Sequence, residues 1–223
     1  MKWIVYLVVP SLLSGTLIAG YFFGPSWLQQ AVSPSLNREL GLLENVQNVL
    51  LLVMIVFLVG GLWRKKLKIE QIVLACLFLF AVLVLMEELD YGQHHWRFLR
   101  GERITNPRYP NLHNRGDLTR IIKCVLDLGL GIFFVVIPLC FAKSRKPFLR
   151  YLSPDRFSIW TIVVMAVLSK VAHGLNKVIT DTPGSINKNI SEFREVLVYY
   201  IFAVYLFEVI FRRTYGETQN EGG

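Results

Sequence analysis

Cysteine is scarce in this chain: three residues in 223, at positions 76, 124 and 140. That spacing fits no zinc or redox pattern. All three fall in apolar stretches, where cysteine reads as a small, buried packing residue. No HExxH or ExxH pair occurs, and there is no internal repeat and no low-complexity tract. Charge is sparse as well. Only 18% of residues are Asp, Glu, Lys or Arg, against 53% hydrophobic, and the mean hydropathy is +0.45. A composition of that kind, gathered into unbroken runs, leaves no room for a second folded domain.

What is present is a series of six apolar runs: Trp3–Phe23, Leu42–Trp63, Ile69–Gly92, Leu118–Ala142, Phe157–Ile179 and Phe193–Phe211. A bilayer core asks for about 20 apolar residues per helix, and it excludes open strands. The expectation is therefore all-α: a polytopic membrane bundle of six transmembrane helices, one domain over residues 1–213, with a disordered polar tail over 214–223. The first run has only Lys2 as a basic region and no clear A-x-A site, so it reads as an uncleaved helix rather than a signal peptide.

The excess of base over acid, +8, needs no nucleic acid to explain it. Arg64, Lys65, Lys66 and Lys68 lie between runs two and three. Lys143, Arg145, Lys146, Arg150 and Arg156 lie between runs four and five, and Arg212 and Arg213 follow run six. The positive-inside rule puts these segments, and both termini, in the cytoplasm, as in a bacterial inner-membrane protein. The long link after run three cuts across this pattern with Arg97, Arg100, Arg103, Arg108, Arg115 and Arg120 and no lysine. Arginine pairs with phosphate as a two-pronged fork where lysine is a point charge, so these arginines fit phosphate headgroups, and equally fit ordinary interfacial anchoring.

Polar residues inside the runs fall at ends that share one membrane face. Run two opens with Glu44, Asn45, Gln47 and Asn48, and run three closes with Glu87, Glu88, Asp90, Tyr91, Gln93, His94 and His95. Asn111, His113 and Asn114 follow in the loop; Asp127 sits in run four; Lys170, His173 and Asn176 lie late in run five; Glu192 and Glu195 open run six. Ionisable residues in membrane segments are costly and usually functional. Glu44 and Asn48 are four apart and so share a helix face. Carboxylates beside histidines suit a zinc-like divalent metal or acid–base work. Structural roles compete: Glu192 and Glu195 as first-turn acids after Ser191, Asp127 and Lys170 as a buried ion pair, and Asn45, Gln47 and Asn48 as interhelical glue. The other ends offer little besides Glu208.

Glu87-Glu88-Leu89-Asp90-Tyr91-Gly92-Gln93 followed by Asn111-Leu112-His113-Asn114 resembles a family of bacterial multi-pass membrane proteins whose usual form reads E-E-I-S-W-G-Q-R, a spacer, then N-L-H-N. Arg38-Glu39-Leu40-Gly41-Leu42-Leu43-Glu44 is similar to its R-E-x-G-x-x-E, and the acidic entry at Glu192 and Glu195 is similar as well. The chain departs at Asp90, where serine is usual, and at His94, where arginine is usual. The resemblance implies where a site lies and does not supply a reaction.

Three functions compete. In an intramembrane hydrolase or transferase acting on a membrane lipid or lipid-linked substrate, Glu87, Glu88, Gln93, His113 and Glu44 would be catalytic. Asn111, Asn114, Arg97, Arg100, Arg103 and His173 would then hold substrate, and a zinc-like ion would be held by Glu88 and His113. In a non-catalytic subunit, the polar cluster would dock a membrane-protein partner. An ion-coupled transporter would need polar groups nearer mid-bilayer than most of these.

Overall fold

The computed structural model describes residues 1–33, 41–89, 96, 99–101, 116–141, 147–179, 182 and 191–213. Among these every regular element is helical. Helix α1 spans Ile4–Phe23, α2 Ser26–Val32, α3 Leu42–Arg64 and α4 Lys68–Glu88. Helix α5 covers Gly116–Gly131 and continues through Ile132–Val136 into Ile137–Phe141. Helix α6 is Pro147–Leu152, α7 is Ser158–Val178, and α8 is Ser191–Phe207 continued by Glu208–Arg212. The expected tail over 214–223 lies outside the described residues.

Five of these segments are long and apolar enough to cross a membrane: α1, α3, α4, the Cys124–Phe141 part of α5, and α7. The chain is therefore a polytopic helical bundle, and its apolar outer surface is one that lipid covers. The sixth expected span, α8, is a continuous helix but carries Glu192, Arg194, Glu195, Glu208 and Arg212, too many charges to qualify on composition. It holds them because it is the central helix. It lies against α3 along its length and also touches α7 and α1, and Val196, Leu197, Ile201 and Ile210 on it are buried. Gly61 marks the tightest approach: a Cβ there would meet Leu74 of α4 at 3.0 Å and Ile210 of α8 at 3.1 Å.

Lipid-side faces read as such. On α3, Val49, Leu52, Val56 and Val59 point outward, and on α4 so do Leu79, Phe80 and Leu83. The three cysteines, expected to be buried, are exposed on the outside of the bundle. An apolar thiol is as compatible with lipid as with a core, and hydrophobicity alone does not separate the two.

Two prolines set the internal bonding. Proline has no N–H, so the carbonyl four residues earlier loses its helical donor, and in hydrocarbon that loss must be made good by protein. Pro10 strips Tyr6, whose carbonyl accepts a hydrogen bond from Thr161 Oγ1 at 2.7 Å. Pro138 strips Phe134, whose carbonyl accepts from Ser158 Oγ at 2.9 Å. Both hydroxyls stand three apart on the first turns of α7, and both are about 1% exposed. The wide π-type turns Ile4–Val8 and Ile132–Val136 precede the same prolines, as expected where the regular ladder is interrupted. Tyr200 of α8 adds a third bond, donating to the Val5 carbonyl at 2.6 Å.

Ser158→Ala and Thr161→Ala should each lower stability by about 1–2 kcal/mol, the cost of an orphaned buried carbonyl. A Pro138→Ala background restores the helical N–H, so Ser158→Ala there should cost less than half as much. Unfolding in mixed micelles would check this: equal costs in both backgrounds would refute the pairing.

Candidate functional site

Antiparallel packing sorts the bundle into two ends. One gathers the start of α3, the end of α4 and the start of α8. It is built on α3, whose first turns place Glu44, Gln47 and Asn48 on one face, all buried, at 7%, 0% and 8% exposure. Asn45 faces out instead, and its side-chain amide donates back to the Gly41 carbonyl at 2.7 Å. That bond is local to the first turn of α3. Gln47 does bond between helices: its Nε2 donates to the Glu192 carbonyl at 3.2 Å and to Glu192 Oε2 at 3.4 Å.

Glu88, at the last turn of α4, accepts a hydrogen bond from Tyr199 Oη of α8 at 2.6 Å. The length lies within the ordinary range for an O–H···O hydrogen bond and matches that of Tyr200 to the Val5 carbonyl. The fields of Glu192 and Glu88, from two other helices, both reach Glu44. Three oxygens there, Glu44 Oε2, Gln47 Oε1 and Asn48 Oδ1, are shut off from solvent and accept no hydrogen bond among the described residues. Tyr21 closes the side toward α1: it is fully buried, packs edge-on against Phe193, and donates to Thr182 Oγ1 at 3.0 Å.

Of the residues expected to form a site, Glu44 and Glu88 come together. Glu87 is half-buried next to Glu88. His173 stands apart, exposed, with Nδ1 2.8 Å from the Ser169 carbonyl of its own helix. Arg100 is exposed and stacks over Trp96 at 4.8 Å. Gln93, Arg97, Arg103, Asn111, His113 and Asn114 lie outside the described residues. The expected Asp127–Lys170 pair is not the one that forms: Asp127 is bridged by Arg194 of α8 at 3.0 Å, while Lys170 is exposed. Among the described residues no three His, Cys, Asp or Glu side chains are grouped to hold a metal ion.

The opposite end is more polar than the sequence suggested. Lys65 and Glu70, 6% and 5% exposed, form an ion pair at 3.5 Å across the α3–α4 turn. Lys65 also donates to the Arg213 carbonyl and lies over the Tyr151 ring. Arg213 pairs with the buried Glu208 at 3.0 Å and donates to the Tyr151 carbonyl at 3.1 Å and to the Ser153 carbonyl. Burial, with the Glu70 carboxylate beside it, pushes the Tyr151 hydroxyl far above its ordinary range, so it stays protonated. This network staples α6 beneath α4 and α8. Its sequence signal, an acid in the first turn of α4 five residues after a base, was readable only as helix-end charge.

Comparison with protein-family models, with curated proteins and with solved structures finds no match to this chain.

Tyr199→Phe should cost about 0.5–1.5 kcal/mol, the usual net worth of a hydrogen bond. At the other end, Lys65→Met should cost about 3–5 kcal/mol by leaving Glu70 buried and uncompensated, and Lys65→Met with Glu70→Leu should cost less than Lys65→Met alone. Additive losses in that double variant would mean the pair is not coupled.

Proposed function

We propose that this chain is a membrane-embedded enzyme, a hydrolase or transferase acting on a lipid or lipid-linked substrate, with its site at the Glu44–Glu88 end of the bundle. The observation that supports this is the set of buried oxygens on Glu44, Gln47 and Asn48 that accept no hydrogen bond among the described residues, with the charges of Glu88 and Glu192 on two other helices acting on Glu44. Structural polar groups in membranes are ordinarily satisfied by one another. A set built from acceptors is poised for something that brings donors or positive charge.

In this reading Glu88, oriented by Tyr199, takes the proton of a water or acceptor hydroxyl. The freed oxygen attacks the ester carbonyl or phosphorus, and the proton returns to the departing alkoxide. Glu44 orients or ligates, with Glu87 beside the base. Gln93, Asn111, His113 and Asn114 fill the polarising and binding roles of the motif, and Arg97, Arg100 and Arg103 hold a headgroup phosphate. A divalent ion on Glu88 and His113 belongs to the same proposal, as does membership of the bacterial family that the E-E…G-Q…N-L-H-N pattern resembles.

The test is lipid turnover by purified protein in vesicles of mixed headgroup composition, read by mass spectrometry, with metal content measured in the same preparation. Wild type should generate a product, and Glu88→Gln should slow it at least about 100-fold, the scale of general acid–base catalysis, while still unfolding cooperatively, since the amide oxygen can accept from Tyr199. Identical lipid profiles for wild type and Glu88→Gln would sink the enzymatic reading.

A further inference from the structure

We infer that the Glu44–Gln47–Asn48 face of α3 is a binding site for a bare monovalent cation of sodium or potassium size. This goes beyond the enzymatic reading and does not depend on it. The three residues stand at i, i+3 and i+4, so they share a face, and each is more than nine-tenths buried. Each carries one oxygen that is shut off from solvent and accepts no hydrogen bond among the described residues: Glu44 Oε2, Gln47 Oε1 and Asn48 Oδ1. The orientation of Gln47 follows from its neighbour. Its Nε2 lies 3.2 Å from the Glu192 carbonyl and 3.4 Å from Glu192 Oε2. A flipped amide would set oxygen against both. Gln47 Oε1 is therefore turned away from Glu192.

Buried polar atoms in folded proteins are nearly all satisfied, and three exceptions on adjoining turns of one helix call for a partner. A proton on Glu44 supplies a single O–H, which serves one amide oxygen and leaves the other bare. A lipid ammonium offers three N–H groups but brings a substituent into a place where these oxygens have no accessible surface. A bare cation needs only oxygens. One carboxylate and two neutral amides balance a single positive charge. Divalent ions recruit additional carboxylates, or imidazole and thiolate ligands, and no such group of three exists among the described residues. The N-terminus of α3 disfavours a cation through its dipole, and the fields of Glu192 and Glu88, which reach this site, oppose that effect.

The experiment is thermal unfolding of the detergent-purified full chain at fixed pH and ionic strength, with choline chloride replaced stepwise by sodium or potassium chloride. A ligand bound only by the folded state raises the Tm with its concentration. Wild type should show a saturable rise with one of the two ions, and the midpoint should move at least about tenfold higher in Asn48→Leu and in Glu44→Gln. Direct binding of radioactive sodium or rubidium to wild type, displaced by unlabelled ion, gives the same answer if a variant fails to fold. Equal Tm in choline, sodium and potassium, a response unchanged in both variants, stabilisation that tracks pH and ignores the ion, or no displaceable binding would each overturn the site. Lipid turnover plays no part in these readings, so the two proposals fail separately.

Discussion

Hydrocarbon offers no hydrogen bonds, and this bundle is arranged around that fact. A helix ladder satisfies its own backbone until proline interrupts it. Two interruptions, at Pro10 and Pro138, are answered by Thr161 and Ser158 on neighbouring turns of α7. Seated between α1 and α5, α7 fixes their depth as well as their contact, because a hydroxyl reaches one carbonyl and no other at these distances. Leucine against leucine in a membrane is slippery, since lipid is as apolar as either. A bond to a stripped carbonyl has one register.

Charge follows a related logic. The central helix α8 is the one with the most ionic side chains among the described helices; Asp127 of α5 pairs with its Arg194, Glu88 of α4 accepts from its Tyr199, and Glu208 pairs with Arg213 just past its end. The two ends of the bundle treat charge differently. Around Lys65, Glu70, Glu208 and Arg213 opposite signs are neutralised in place, which is the behaviour of a structural staple. Around Glu44 the acceptors outnumber the donors. That contrast in charge, rather than polarity, is what distinguishes the two ends, since both are polar.

Much of the architecture was legible in the sequence because length and apolarity are what a bilayer tests. The expected spans and the observed helices differ by a few residues, most at Ile69–Gly92, where the helix ends at Glu88. Helical spacing placed Glu44 with Asn48, and the antiparallel order placed both near Glu88. What hydropathy does not encode is which side of a helix meets protein and which meets lipid. That is why Cys76, Cys124 and Cys140 were expected inside and lie outside, and why Lys170 was paired with Asp127 when Arg194 is the partner. Registry across helices far apart in sequence is equally invisible: Lys65 with Glu70 reads as ordinary end charge until Tyr151 and Arg213 enclose it. The proline–hydroxyl pairs left a trace, two prolines within spans and Ser158 and Thr161 three apart, but nothing in the sequence pairs them.

The position of α7 bears on how the chain is made. Synthesis runs from the N-terminus, so α1 enters the bilayer with the Tyr6 carbonyl bare, roughly 150 residues before Thr161 exists to cover it. Helix α5 waits less long for Ser158. Until α7 arrives, α1 is an unfinished helix, held by apolarity alone and free to slide or to borrow water or an accessory hydroxyl. Insertion of α7 is then a locking event, after which α1 and α5 are tied to one helix through the Tyr6 and Phe134 carbonyls.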